Sequence, residues 1–272
     1  MNKKERTLKV PTSPITYYGG KKLLVSRLLQ LIPKHTTYVE PFFGGGALFF
    51  AKPKSEVEII NDLNRQVINF YEVSKTKFSE LQALIQKSLH SRALMRDAYI
   101  MYQNPHLFTD VERAWAFYML TNQGYVGKIG SSWGYGVIDN KREHSLQTKR
   151  DNFTEDIAKR LEHTQIECFD AVRLIELRDR PATFFYCDPP YAGANQGHYE
   201  GYTQAHFEDL LTALAKVKGL FLLSSYPNAA LDTFVKEQGW HQIVLDMPCH
   251  ASSKRKRKLE VLTANYPISL AD

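Results

Sequence analysis

The residues of this chain with the clearest chemical capacity are Asp188-Pro189-Pro190-Tyr191, which follow the apolar run Ala182-Thr183-Phe184-Phe185-Tyr186-Cys187. A run rich in aromatic and β-branched residues reads as a buried strand, and two prolines end it. A carboxylate, a rigid backbone carbonyl and an aromatic ring are then left together at a strand's carboxyl end, where open α/β sheets bind their ligands. An exocyclic amino group on a flat heterocycle can donate its two protons to such acceptors while its ring stacks on Tyr191. The plain alternative is an Asp-Pro turn followed by a surface tyrosine.

A second segment lies far upstream. Thr37-Tyr38-Val39-Glu40-Pro41-Phe42-Phe43-Gly44-Gly45-Gly46 reads as a short strand entering a glycine-rich turn, with a helix starting at Ala47. Glycine lets a backbone turn tightly and approach a ligand with no Cβ in the way. The spacing is not that of a dinucleotide fingerprint, and no Lys-Ser/Thr follows to make a phosphate loop. Val57-Glu58-Ile59-Ile60-Asn61-Asp62 is then a second strand with an acid at its tip, placed to accept from ribose hydroxyls. Taken alone, the glycines could form an ordinary turn and Asp62 could be a helix N-cap. Their order ahead of Asp188-Pro189-Pro190-Tyr191 favours a site.

A third segment, Thr16-Tyr17-Tyr18-Gly19-Gly20-Lys21-Lys22, precedes a helical pattern from Leu23 to Ile32. With it, the chain resembles the Dam-type (alpha-class) DNA adenine N6-methyltransferases, which use S-adenosylmethionine. The resemblance rests on the Gly-Gly-Lys segment, Phe43-Gly44-Gly45-Gly46, Asn61-Asp62, Asp188-Pro189-Pro190-Tyr191 and the tail from Lys256 to Tyr266, and spans residues 14–267. It implies catalytic roles for Asp188, Pro189, Pro190 and Tyr191. It also implies cofactor contacts from Tyr17, Lys21, Phe43, Gly44, Gly46, Asp62 and Asp188, with Phe169 and Asp170 beside the cofactor's adenine.

Strands are expected at 37–40, 57–61, 166–169, 182–187, 219–224, 241–246 and 259–265, and helices at 20–32, 46–51, 63–74, 154–163, 170–177, 203–217 and 228–238. This alternation predicts an α/β fold, a mostly parallel sheet with helices on both faces, closed by a β-hairpin because no helix separates the last two strands; the resemblance implies that it is a Rossmann-like methyltransferase sheet. The stretches 78–89, 91–103 and 110–122 have helical periodicity with no strand among them. The expected organisation is a catalytic domain at 12–74 and 151–270, interrupted by a small helical target-recognition domain at 75–150. A chain of 272 residues suffices for both. The formal net charge of +6 favours a polyanionic partner, which the resemblance implies is duplex DNA. Cys168, Cys187 and Cys249 are unclustered, so no disulfide framework or metal site is expected, and Cys168 and Cys187 read as small buried hydrophobes at strand ends. No apolar stretch is long enough for a membrane span, and residues 2–9 are charged rather than signal-like. The chain therefore reads as cytoplasmic, in a bacterial or phage-infected host cell, and as a monomer or weak dimer.

The expected insert ends in Thr121-Asn122-Gln123-Gly124-Tyr125-Val126-Gly127-Lys128-Ile129-Gly130-Ser131-Ser132-Trp133-Gly134-Tyr135-Gly136. Glycines interleaved with Tyr125, Lys128, Trp133 and Tyr135 suit a ribbon that meets phosphates and fills the gap left by an unstacked base. The alternative is a connection whose aromatics pack on the helices. Lys141, Arg142, His144, Lys149 and Arg150 extend the basic character. The run Lys254-Arg255-Lys256-Arg257-Lys258 reads as phosphate contact in the final hairpin, against a solvated turn or a localisation signal. Residues 193–202 read as a lid.

The chemistry this implies is amine methylation without full deprotonation, since an ordinary carboxylate with a pKa of roughly 4 is too weak a base to ionise the amino group. Asp188 and the Pro189 carbonyl accept its two N–H bonds instead and stabilise the positive charge developing on nitrogen. Alternatives are a catalytically silent DNA-binding relative, and methylation of RNA adenine or of cytosine N4. The leading Asp and the long insert favour DNA adenine. Three positions depart from the Dam pattern: Val126 stands for an asparagine, Gly130 falls near an expected arginine, and Thr16 stands for a basic residue. These positions help read GATC in the family that the chain resembles, and each good bidentate base contact is worth roughly 1–3 kcal/mol of discrimination. The expectation is therefore that GATC is not the preferred site, or that the preference around the target adenine is relaxed. Single-molecule mapping of N6-methyladenine on genomic DNA treated with the enzyme checks this, and strict GATC modification would contradict it.

Overall fold

The computed structural model describes residues 12–191, 201–248 and 257–270. Seven strands, β1 (Thr37–Glu40), β2 (Val57–Asn61), β3 (Gln165–Glu167), β4 (Thr183–Cys187), β5 (Leu220–Ser225), β6 (His241–Pro248) and β7 (Arg257–Ala264), form one sheet in the order β3-β2-β1-β4-β5-β7-β6. The first five are parallel, and β7 runs antiparallel to both β5 and β6. The chain leaves β1 towards β2 on one side and returns to pair β4 on the other. That reversal opens a crevice at the carboxyl ends of β1 and β4, the place where such sheets bind ligands.

Strand alternation divides the core between the two faces. Tyr38, Ile60, Phe184, Tyr186, Leu222 and Leu262 join one buried cluster, while Val39, Ile59, Phe185, Cys187, Phe221 and Val261 join the other. Burial on both faces explains why the central strands read as continuous apolar runs rather than alternating ones.

The helices are α1 (Val25–Leu31), α2 (Ala47–Ala51), α3 (Arg65–Thr76), α4 (Phe78–Lys87), α5 (Arg92–Gln103), α6 (Asp110–Gln123), α7 (Lys141–Asp151), α8 (Asp156–Leu161), α9 (Ala171–Arg178), α10 (Gln204–Leu214) and α11 (Ala229–Gln238). Helix α6 starts at a capping box, in which the Thr109 side chain accepts from the Glu112 N–H and Glu112 reaches back to the Thr109 N–H. It is buried from Ala116 to Gln123, against α3, α4 and α5. Phe117 packs on Phe70 of α3, so the helices of the expected insert share one core cluster with the sheet face.

Three expectations are corrected. The first helix is shorter than 20–32, because Gly20 donates to the Tyr17 carbonyl and the chain turns through Lys21–Leu24 before α1 begins. Helix α7 forms where only basic character was read, since it buries just Leu146 and shows no apolar period. Cys168 is exposed, because it follows β3 at the sheet's edge, whereas Cys187 is buried. Cys249 and residues 193–200 of the expected lid lie outside the described residues.

The strand tips are tied by Asn61, which is fully buried. Its Nδ2 donates to the Pro41 carbonyl at 2.9 Å and to the Phe169 carbonyl at 3.0 Å, and its Oδ1 accepts the Phe169 N–H at 2.8 Å. One amide thus holds the exits of β1 and β3 against β2. Asn61→Ala strands two carbonyls and an N–H in a buried setting. It should lower unfolding stability by roughly 2–4 kcal/mol in urea titration; a loss below about 0.5 kcal/mol would mean water replaces the amide readily.

Candidate active site

The glycine turn after β1 is built to hold its own backbone. Gly44 and Gly46 have φ of 47° and 61°, and a Cβ on Gly46 would lie 2.4 Å from the Phe43 ring. Phe43 faces the core, packed edge-on against Tyr71 with ring centroids 4.7 Å apart, so only its backbone lines the turn. Three of the turn's N–H groups are already engaged: Phe43 donates to the Asn61 carbonyl, Gly46 to the Phe43 carbonyl, and Gly44 to Asp62 Oδ2 at 2.8 Å. These engaged donors do not make a phosphate cradle. Asp62 also accepts from the Asn64 N–H at 2.9 Å. The N-cap of α3 is Asn64, whose side chain accepts from Gln66, so capping does not account for Asp62. Burial pushes the Asp62 carboxyl up to about 6, against the two N–H bonds that lower it.

At the end of β4, Asp188 Oδ1 meets the Lys21 ammonium at 2.5 Å. Lys21 is buried, lies 3.5 Å from Glu260 Oε1, and sits 4.9 Å from the centroid of the Tyr191 ring. The Tyr191 hydroxyl donates to Glu260 Oε1 and lies 3.4 Å from Asp188 Oδ1. The Tyr191 ring packs on Tyr226 with centroids 4.1 Å apart. Burial raises the Asp188 carboxyl; Lys21 opposes this rise and Glu260 adds to it. Burial alone would lower the Lys21 ammonium, but Asp188 and Glu260 together lift it above its ordinary value. Glu40, buried at the end of β1 and bonded by the Tyr38 hydroxyl at 2.7 Å, is pushed by burial up to about 8. Acidic side chains on or just past β1, β2, β4 and β7 therefore gather at one edge of the sheet.

Residues 17–243 match the D12 class N6 adenine-specific DNA methyltransferase family. The chain belongs to that family. A type II methyltransferase of Lactococcus lactis subsp. cremoris, M1.LlaDCHI, is 25% identical over 280 residues, covering 95% of this chain and 97% of that protein. A DNA adenine methylase of Salmonella typhi is 22% identical, covering 94% and 96%. The precorrin-6y C5,15-methyltransferase of Geobacter metallireducens superposes with a TM-score of 0.36 at 10% identity over 89% of this chain and 85% of that one, a likeness too weak to carry an argument.

The chain is thus a DNA adenine methyltransferase with a Rossmann-like α/β fold, and the methyl donor is S-adenosylmethionine. The site's chemistry fits that cofactor. A sulfonium and an ammonium call for carboxylates, which Asp62 and Asp188 can provide, and a ribose diol calls for acceptors. Asp62 has a lone pair to spare on each oxygen after its two N–H bonds.

The remaining expected residues are placed as follows. Tyr17 is buried beside Phe117, with ring centroids 6.1 Å apart. Phe169 is half-buried with Phe42 and Tyr202 on the second core cluster. Asp170 caps α9 by accepting from the Arg173 N–H at 2.9 Å. In the glycine-rich segment, Trp133 is half-buried against His90 and donates to Gln123 Oε1. Tyr135 stacks on Trp133 and Arg92 lies over both rings, so packing accounts for part of this segment. Tyr125 and Val126 project into solvent. Val126 has φ 55°, a left-handed conformation costly for a β-branched residue. The turn is locked, since a Cβ on the next residue, Gly127, would meet the Thr16 carbonyl at 2.4 Å. Lys128 is half-buried. Arg257 pairs with Asp246 at 2.6 Å. Lys254, Arg255 and Lys256 lie outside the described residues.

Sequence reasoning gave no role to Glu260, Glu40 or Tyr226. The available signal for Glu260 was a single charge within the apolar stretch Leu259–Ala264.

Asp62→Ala should weaken S-adenosylmethionine binding by roughly 1.5–3 kcal/mol. An ionised carboxylate is the better acceptor for a ribose diol, so affinity should also decline as pH falls through about 6, the value to which burial lifts Asp62. Below it the loss should approach about tenfold per pH unit. Asp62→Asn should remove that pH dependence in calorimetry from pH 5 to 8. An unchanged affinity in Asp62→Ala would leave Asp62 as a brace for the Gly44 and Asn64 N–H groups.

Proposed function

We propose that this enzyme methylates adenine N6 at specific sites in duplex DNA, on a base turned out of the stack into the crevice at Asp188. The observation that carries this reading is the Asp188 carboxylate at the carboxyl end of β4, beside the Tyr191 ring and along one sheet edge from Asp62 and the glycine turn. Asp188 and the Pro189 carbonyl accept the two N–H bonds of the adenine amino group. Both described hydrogen bonds to Asp188 fall on Oδ1, which supports assigning Oδ2 to the base. When bound, S-adenosylmethionine supplies the methyl group as an electrophile, with its ribose held by Asp62 and its methionine part near Phe43, Gly44 and Gly46. Tyr17 and Lys21 border that part, and Phe169 and Asp170 border the cofactor's adenine.

The amino nitrogen gains positive charge as it takes up the methyl group, and a negative acceptor fixed beforehand lowers the energy of that state. The proton then shed passes to the Asp188 carboxylate, whose burial raises its proton affinity. Pro190 keeps the turn rigid, and Tyr191 stacks on the extruded base.

Residues 12–74 and 151–270 act as the catalytic part and 75–150 as the target-recognition part. Tyr125, Lys128, Trp133 and Tyr135 meet bases and phosphates, and Lys254 to Arg257 meet phosphates. Lys149 supports a DNA face here: it bonds Thr16 and is held down to about 8 by burial, and next by Arg142 and Lys22, so a phosphate would relieve it. The setting that fits is the cytoplasm of a bacterial or phage-infected host cell, with the enzyme acting as a monomer or weak dimer. No described helix is long and apolar enough to cross a membrane.

Asp188→Ala should retain its fold, since Asp188 lies at a strand exit with a side chain 20% exposed. It should lose at least ~100-fold in turnover, measured as N6-methyladenine released by nuclease digestion. Turnover near the wild-type rate in the purified variant would sink the assignment.

A further inference from the structure

Glu260 is fully buried, and burying a carboxylate is costly unless something compensates it. Its Oε1 takes the Tyr191 O–H and faces Lys21 at 3.5 Å. Its Oε2 has no hydrogen-bond partner among the described residues and lies 4.0 Å from Lys258, a residue at the rim. Neutralising Lys21 does not require Glu260, because Asp188 already does so at 2.5 Å. With Lys21 and Asp188 alone the centre is electrically neutral, and a carboxylate paired one-to-one with an ammonium is a weak acceptor for a nitrogen that turns cationic. Adding Glu260 gives the buried groups one excess negative charge, whose counter-ion, Lys258, stands 4.0 Å off at the partly exposed rim. Glu260 also fixes both neighbours of the target base, because Lys21 holds Asp188 Oδ1 and the Tyr191 hydroxyl orients the ring.

We propose that Glu260 is a positioning residue for methyl transfer. Through Lys21 and the Tyr191 hydroxyl it holds Asp188 Oδ2 and the Tyr191 ring towards the extruded adenine, and it supplies the negative charge that Lys21 would otherwise cancel. This rests on reading Asp188 as the acceptor of the amino protons. A purely structural Glu260 would leave the rate per folded molecule unchanged.

The test compares Glu260→Gln, Glu260→Asp and Asp188→Ala with the wild type in single-turnover methylation of genomic DNA, with calorimetry for S-adenosylmethionine. Glu260→Gln keeps the side-chain size and removes the charge. It should bind the cofactor within about twofold of wild type yet transfer the methyl at least about tenfold more slowly. The groups facing Asp188 are Lys21, Glu260, Lys258, Tyr191, Tyr186, Cys187 and Glu40. Of these, Glu260 raises Asp188, so removing its charge should move the acid limb of the rate profile to lower pH. Glu260→Asp restores the charge and should recover part of the rate, with the acid limb at its wild-type position.

A wild-type rate and an unmoved limb in Glu260→Gln, with Asp188→Ala inactive, would overturn the proposal and spare the reading of Asp188. Activity in Asp188→Ala would overturn that reading itself. Should Glu260→Gln fail to fold, Glu260→Asp decides: a rate between about 2- and 10-fold below wild type with an unmoved limb supports the proposal, and an undiminished rate overturns it.

Discussion

Parallel strands end side by side, so whatever side chains follow them are crowded at one edge of the sheet. Here Glu40 ends β1, Asp62 and Asp188 follow β2 and β4, and Glu260 reaches the same edge from β7. Burial at that edge makes ionised carboxylates expensive, which is why Glu40 and Asp62 are lifted to about 8 and about 6. The ammonium that offsets the charge is Lys21, seated 2.5 Å from Asp188. The ion pair draws the N-terminal segment over the sheet edge.

The same segment ties the cofactor side to the expected recognition side. The Thr16 N–H donates to Asn122 Oδ1 at 3.1 Å, Asn122 Nδ2 donates to the Pro14 carbonyl at 3.3 Å, and Lys149 donates to the Thr16 hydroxyl. Tyr17 follows directly and packs on Phe117 of α6. Residues 14–21 are therefore a brace between the end of α6 and Asp188. The hydroxyl of Thr16 is engaged in that brace.

Much of the fold was legible because its signals are local. Both faces of β1, β2 and β4 are buried, so their apolar runs stand out, and the absence of a helical period between β6 and β7 marks the hairpin. Helix α7 escaped notice because it buries one residue, and the edge position of β3 left Cys168 exposed. At the site, Asp62 and Asp188 were legible because a motif surrounds each. Glu260 was not, because its meaning comes from a contact with Tyr191 across 69 positions of sequence. Lys21 was read as a cofactor residue, and its pairing with Asp188 depends on a contact 167 positions apart that no spacing rule reveals.

The central claim is that Asp188 holds the adenine amino group through the oxygen that Lys21 leaves open. A crystal structure with a non-reactive cofactor analogue and a duplex carrying the mapped target site tests it most directly. The account predicts the amino nitrogen within about 3.2 Å of both Asp188 Oδ2 and the Pro189 carbonyl, with Lys21 still on Oδ1. An amino nitrogen bound elsewhere, or Lys21 displaced from Asp188 by the base, would contradict it.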